Sequence, residues 1–285
     1  MRSTSAALAF ALVLAACNGN GVTTSSTSAI TSTSSSTPSS TLPPVVECPG
    51  VGDFEEGGGI ADIDGERSAS SNIGRITWDS TDLCETFQFD FETSEGAPAI
   101  SVPDISIAHL ESFQVLRIAM DVDDAVVTDQ LVETNLVDRL YVVTALDGGI
   151  FVDLHLAAPA AARARVESSP ARLSVDLRPG FVPFAGTSTI GDRVVLVSPA
   201  AGSTVDPVTQ LIGYSRTFEA NVTVIVTRDG LVATETNTTA ADYLERWGEF
   251  RVQLGLPPGE VTVFVGEESP QDGSLEGITV DLSVS

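Results

Sequence analysis

Phe151-Val-Asp-Leu-His-Leu156 decides the fold class. Val152, Leu154 and Leu156 fall on one side of an extended chain, and Phe151, Asp153 and His155 on the other. That is the period of two of a β-strand; a helix would repeat its apolar positions every three or four residues. Similar short runs, broken by Gly, Pro and Asp, predict strands at 73–79, 86–92, 115–122, 140–144, 150–156 and 172–177. Many short strands with frequent turn signals predict an all-β chain built as sandwiches.

Beyond these runs, Arg178-Pro-Gly-Phe-Val-Pro-Phe-Ala-Gly-Thr-Ser-Thr-Ile190 interrupts the alternation with two Pro and two Gly, and predicts a seam between two separable domains. Past it the alternation resumes, with strands expected at 193–197, 210–214, 222–228, 231–236, 249–254, 261–265 and 277–284. Asp229-Gly230 lies between two β-branched runs and supplies the positive φ angles of a tight hairpin. The only helix-like stretch is a short turn expected at 239–246.

The N-terminus reads as an export signal. Arg2 is followed by an apolar run from Ala6 to Val13, then by Leu14-Ala15-Ala16-Cys17. The run is short for a permanent membrane span. Small residues directly before a Cys resemble the bacterial lipobox. That resemblance implies a signal peptide over 1–16, lipidation of Cys17, and anchorage at the extracytoplasmic face of the membrane. An uncharged Ser/Thr-rich segment follows within 17–47. It lacks the apolar surface needed to offset the entropy of ordering, so a disordered stalk is expected.

The 285 residues carry a formal charge of −25, with 39 acidic side chains against 14 basic ones, every one of them Arg. The missing Lys reads as the coding bias of a GC-rich genome, as in actinobacteria. So acidic a surface repels nucleic-acid phosphates and excludes a nucleic-acid partner. It equally disfavours peripheral binding to anionic lipid. With Cys17 assigned to lipid, Cys48 and Cys84 remain. In an exported chain the simplest outcome is a disulfide between them, the alternative being two buried thiols.

Several motifs lie in order in the last third: Val197-Ser-Pro-Ala-Ala-Gly-Ser-Thr-Val205, Gly213, Thr217-Phe-Glu-Ala-Asn-Val222, Asp229-Gly230, Gly248-Glu-Phe250 and Ser269-Pro-Gln-Asp-Gly-Ser274. Together they resemble the immunoglobulin-like domain of bacterial spore-germination proteins, which implies a non-catalytic sandwich over 191–285. Its physical features read as structural, with Phe218 expected to plug the core. The strand patterns Arg75-Ile-Thr-Trp78, Cys84-Glu-Thr-Phe-Gln-Phe89, Gly149-Ile-Phe-Val-Asp-Leu154 and Ala171-Arg-Leu-Ser-Val-Asp-Leu-Arg-Pro179 resemble the AMIN-like domains of actinobacterial lipoproteins. That resemblance implies an envelope-contacting sandwich over 48–180, and no binding residue transfers from it.

The search for chemistry returns no catalytic residue. Only His109 and His155 exist, neither in a hydrolase motif, and His155 is expected on an exposed strand face beside Asp153. Two isolated His and two Cys expected to pair leave too few zinc ligands. Asp53, Glu55, Glu56, Asp62, Asp64 and Glu66, with Asp121, Asp123 and Asp124, have the composition of calcium loops but lack the spacing, and read as solvated. No metal or cofactor is therefore expected. Trp78, Tyr214, Tyr243 and Trp247 are the rings available to grip a sugar polymer. The expectation is a lipid-anchored, non-catalytic accessory protein contacting an envelope protein or peptidoglycan in wall or spore-related processes. A wall hydrolase and a calcium-dependent adhesion protein are the alternatives.

Overall fold

The computed structural model describes residues 48, 50, 52–66, 69–269 and 271–285, so the expectations for Cys17 and for the segments 1–16 and 17–47 lie outside the described residues. The strands of the first half are β1 (Gly59–Ile63), β2 (Asn72–Ser80), β3 (Glu85–Glu92), β4 (Ile105–His109), β5 (Val115–Met120), β6 (Asp124–Ala125), β7 (Gln130–Leu131), β8 (Val137–Thr144), β9 (Ile150–Leu156), β10 (Ala160–Glu167) and β11 (Arg172–Pro179). The second half holds β12 (Thr189–Ile190), β13 (Val194–Ser198), β14 (Thr204–Val205), β15 (Val208–Ser215), β16 (Asn221–Arg228), β17 (Leu231–Thr239), β18 (Trp247–Gly255), β19 (Gly259–Glu268) and β20 (Leu275–Val284). The fold is all-β, as expected.

Every strand expected from alternation is present, with ends moved by a few residues. The main additions are β1, β4 and β10. In β10, Ala160-Ala-Ala-Arg-Ala-Arg-Val-Glu167 has little β-branched character, and its alternation of Ala162, Ala164 and Val166 with Arg163, Arg165 and Glu167 is carried by small side chains. It is held by full pairing with β11 and by Arg163 and Arg165, which both reach Asp176. The turn expected at 239–246 is not helical. Asp242 Oδ1 accepts the N–H groups of Tyr243 and Leu244, bending the chain locally instead. Phe218 is corrected too: it is half exposed, and Ala220 is the neighbour that turns inward. Asp229-Gly230 forms the expected hairpin, with φ of 53° and 76°.

Three sheets carry the architecture. A five-stranded sheet, β10-β11-β3-β2-β6, covers one core with the first half of a ten-stranded sheet, β1-β4-β5-β9-β8. A second five-stranded sheet, β14-β20-β19-β16-β17, covers another core with the remainder, β18-β15-β13-β12. The ten-stranded sheet is continuous only through a short parallel pairing, Trp247 with Val143 and Gly248 with Thr144. There it creases. His155 on β9 and Tyr214 on β15 are three strand steps apart, about 14 Å in a flat sheet, yet their ring centroids are 6.2 Å apart. The outer faces of the two sandwiches therefore close on one another.

A third apolar cluster fills the closure. Val115, Tyr141, Val143 and Phe151 come from the first half, and Val195, Val197, Tyr214 and Trp247 from the second. The described residues, from Cys48 to Ser285, belong to one compact unit. Cys48 and Cys84 are joined by a disulfide with Cα atoms 5.3 Å apart. It ties the Gly-rich entry segment to β3, while Arg163 donates to the carbonyls of Gly50 and Gly52.

Candidate binding cleft

The crease fixes the surroundings of the residues singled out on β9. All of β9 is buried, Asp153 and His155 included. The expectation of an exposed His155 is thus overturned: the face left free by the first sandwich is covered by the second. His155 Nε2 and the Tyr214 hydroxyl form a hydrogen bond. Burial, reinforced by Arg139 and Arg117, pushes the His155 pKa down to about 3. Burial likewise raises the Tyr214 hydroxyl well above its usual range. The pair is neutral across ordinary pH.

Asp153 shares a face with His155 but does not orient it. Its two oxygens accept from Arg117 Nε and Nη2, both at 2.8 Å. Burial pushes the Asp153 carboxyl up, and this bidentate contact with Arg117 opposes that rise. Arg117 also lies 3.7 Å from buried Glu249 and stacks over Phe151. Glu249 in turn accepts from Arg251 Nε and Nη2 and from the Leu146 N–H. The four charges balance. A hydrolase would need His155 beside an acid and facing substrate; here the acid is committed to Arg117 and the imidazole to a phenol.

Where the closure gapes, it leaves a cleft of about 770 Å³. Arg117, mostly buried, is among its lining residues. One wall comes from the turn after β4, with Leu110, Glu111 and Ser112. The other comes from Val197-Ser-Pro-Ala200 and Ser203 to Asp206, together with the outer face of β15, where Val208, Gln210 and Ile212 lie. A register shift between Leu196 and Ser198 leaves Val197 without a cross-strand partner and re-aims the chain at this point. The motif at 197–205, read from sequence as structural, is thus a wall of this cleft.

The other sequence candidates disperse. His109 is buried beside Phe113, with its ring centroid 5.9 Å away, and burial pushes its pKa down. Among the described residues no group of three His, Cys, Asp or Glu is arranged to hold a metal. Glu56 accepts the N–H groups of Phe181 and Val182, and Asp124 pairs with Arg246 at 2.6 Å. Tyr214 and Trp247 are core rings. Trp78 and Tyr243 are partly buried against their own cores. Sequence reasoning did not single out Arg117 or Glu249 as site residues: each is a lone charge on a strand, and Glu249 entered only as part of the Gly248-Glu-Phe250 pattern.

Residues 193–274 match the family model described as the immunoglobulin-like domain of bacterial spore germination. The match runs from just before β13 to just before β20, so it takes in the cleft motif at 197–205. The family is an immunoglobulin-like domain and not catalytic in itself. No curated protein and no solved structure matches the chain.

Proposed function

We propose that this is an exported, lipid-anchored accessory protein that acts by binding an envelope protein or peptidoglycan in wall or spore-related processes. The match over 193–274 carries the reading, because that family is non-catalytic in itself. Leu14-Ala-Ala-Cys17 and the Ser/Thr-rich segment after it support anchorage at the extracytoplasmic face. The strand patterns of 48–180 support an AMIN-like first sandwich. Anchoring and binding are tested together. Cys17→Ala abolishes acyl labelling, and the parent protein, crosslinked in cells, recovers an envelope protein or wall fragment. Equal acyl labelling of variant and parent ends the anchoring reading; wall hydrolysis that disappears with His155→Ala or His109→Ala ends the binding one.

A further inference from the structure

We propose that the cleft between the two sandwiches binds a short extended peptide carrying a basic side chain. The inference rests on the binding reading above and names its site and ligand class. At about 770 Å³ the cleft lies within the roughly 300–1,000 Å³ of ordinary ligand sites. Apolar Leu110, Val208 and Ile212 alternate with hydroxyl and amide groups, a surface that suits a peptide backbone with small side chains. None of its lining residues is aromatic, so it offers no stacking platform for sugar rings.

Charge selects among peptides. Glu111 and Asp206 line the cleft, one from each sandwich, and both are exposed. Neither is in an ion pair, in contrast to Asp153 and Glu249 deeper in. Among the described residues the cations are already engaged. Of the twelve described Arg residues, ten are in ion pairs. Arg139 donates to Tyr141, and Arg178 lies over Phe54. Arg117 faces the cleft already neutralised by Asp153 and Glu249. An acidic ligand would therefore meet two unpaired carboxylates and no spare cation, whereas an amine or guanidine completes the charge balance.

Calorimetric titration of the full chain tests this with a capped alanine–lysine peptide, its alanine–glutamate counterpart and a chitin oligosaccharide. The expected result is binding of the basic peptide alone, weakened by high salt. Glu111→Lys with Asp206→Lys, both on exposed positions, should weaken it at least tenfold at unchanged melting temperature. Equal binding of the acidic peptide, or no basic-peptide binding, overturns the inference. Sedimentation with wall material separates the two readings. If the parent sediments and the double variant sediments equally, the cleft is the wrong site and the general binding reading stands. If the basic peptide binds as expected but the parent does not sediment, the cleft stands and the envelope role falls.

Discussion

His155 and Tyr214 touch across a crease in a single sheet, although 59 residues and two intervening strands separate them. Their contact marks where the outer faces of the two sandwiches have become an interior. It places a titratable imidazole in the interior of the seam.

Folding holds the His155 pKa at about 3, against 6.5 for a free imidazole. Below pH 6.5 the unfolded chain takes up a proton that the folded chain refuses, so this contribution to stability is complete above 6.5 and is lost as the pH falls toward 3. The loss is at most about 1.4 kcal/mol per pH unit. His155→Asn should flatten the stability profile between pH 6 and 4 relative to the parent, as read by denaturant unfolding. Parallel profiles would show that His155 titrates normally.

Tyr214→Phe removes the phenol and leaves a buried imidazole with no partner. An unsatisfied buried polar group costs roughly 1–3 kcal/mol, and the ring contacts to Tyr141 and Trp247 remain. A shift of the denaturation midpoint at constant slope is the expected signature.

Asp153→Asn leaves the Arg117 guanidinium facing only Glu249 at 3.7 Å. Breaking one side of a buried ion pair costs about 3–5 kcal/mol, whereas replacing both partners with apolar groups is much less costly. Arg117→Met with Asp153→Leu should therefore unfold later than Asp153→Asn alone. A strictly additive thermodynamic cycle would contradict the coupling.

Cys84→Ser opens the loop closed between Cys48 and Cys84, a separation of 36 residues. Loop-closure entropy puts the loss at about 4 kcal/mol. The same loss should follow from reducing the parent protein, and reduction should leave the variant unchanged.

A nick in 178–190 should leave the two pieces together on a sizing column under native conditions. Val195, Val197, Tyr214 and Trp247 are buried against the first half, and the β8–β18 pairing bridges the cut. A fragment from 191 onward, made alone, should bind a hydrophobic dye that the intact chain excludes. Pieces that separate freely would restore the simpler picture of two independent domains suggested by the Pro/Gly-rich seam.

By itself the sequence determined most of the strands, because alternation is local; β1, β4 and β10 became visible only through their pairing. Phe151 to Leu156 alternates whatever lies above it, Asp229-Gly230 turns because of its own backbone freedom, and the motifs of 193–274 announce an immunoglobulin-like sandwich. It also limited the chemistry to two His and a disulfide pair. Tertiary structure decided which faces are dry. A strand on a lone sandwich has one wet face, which is why His155 and Asp153 read as exposed. The crease at Trp247 and Val143 is a two-residue contact between positions 104 apart in sequence, too short and too distant to leave any periodic trace. It buries the charge network of Arg117, Asp153 and Glu249, and where the closure is incomplete it opens the cleft.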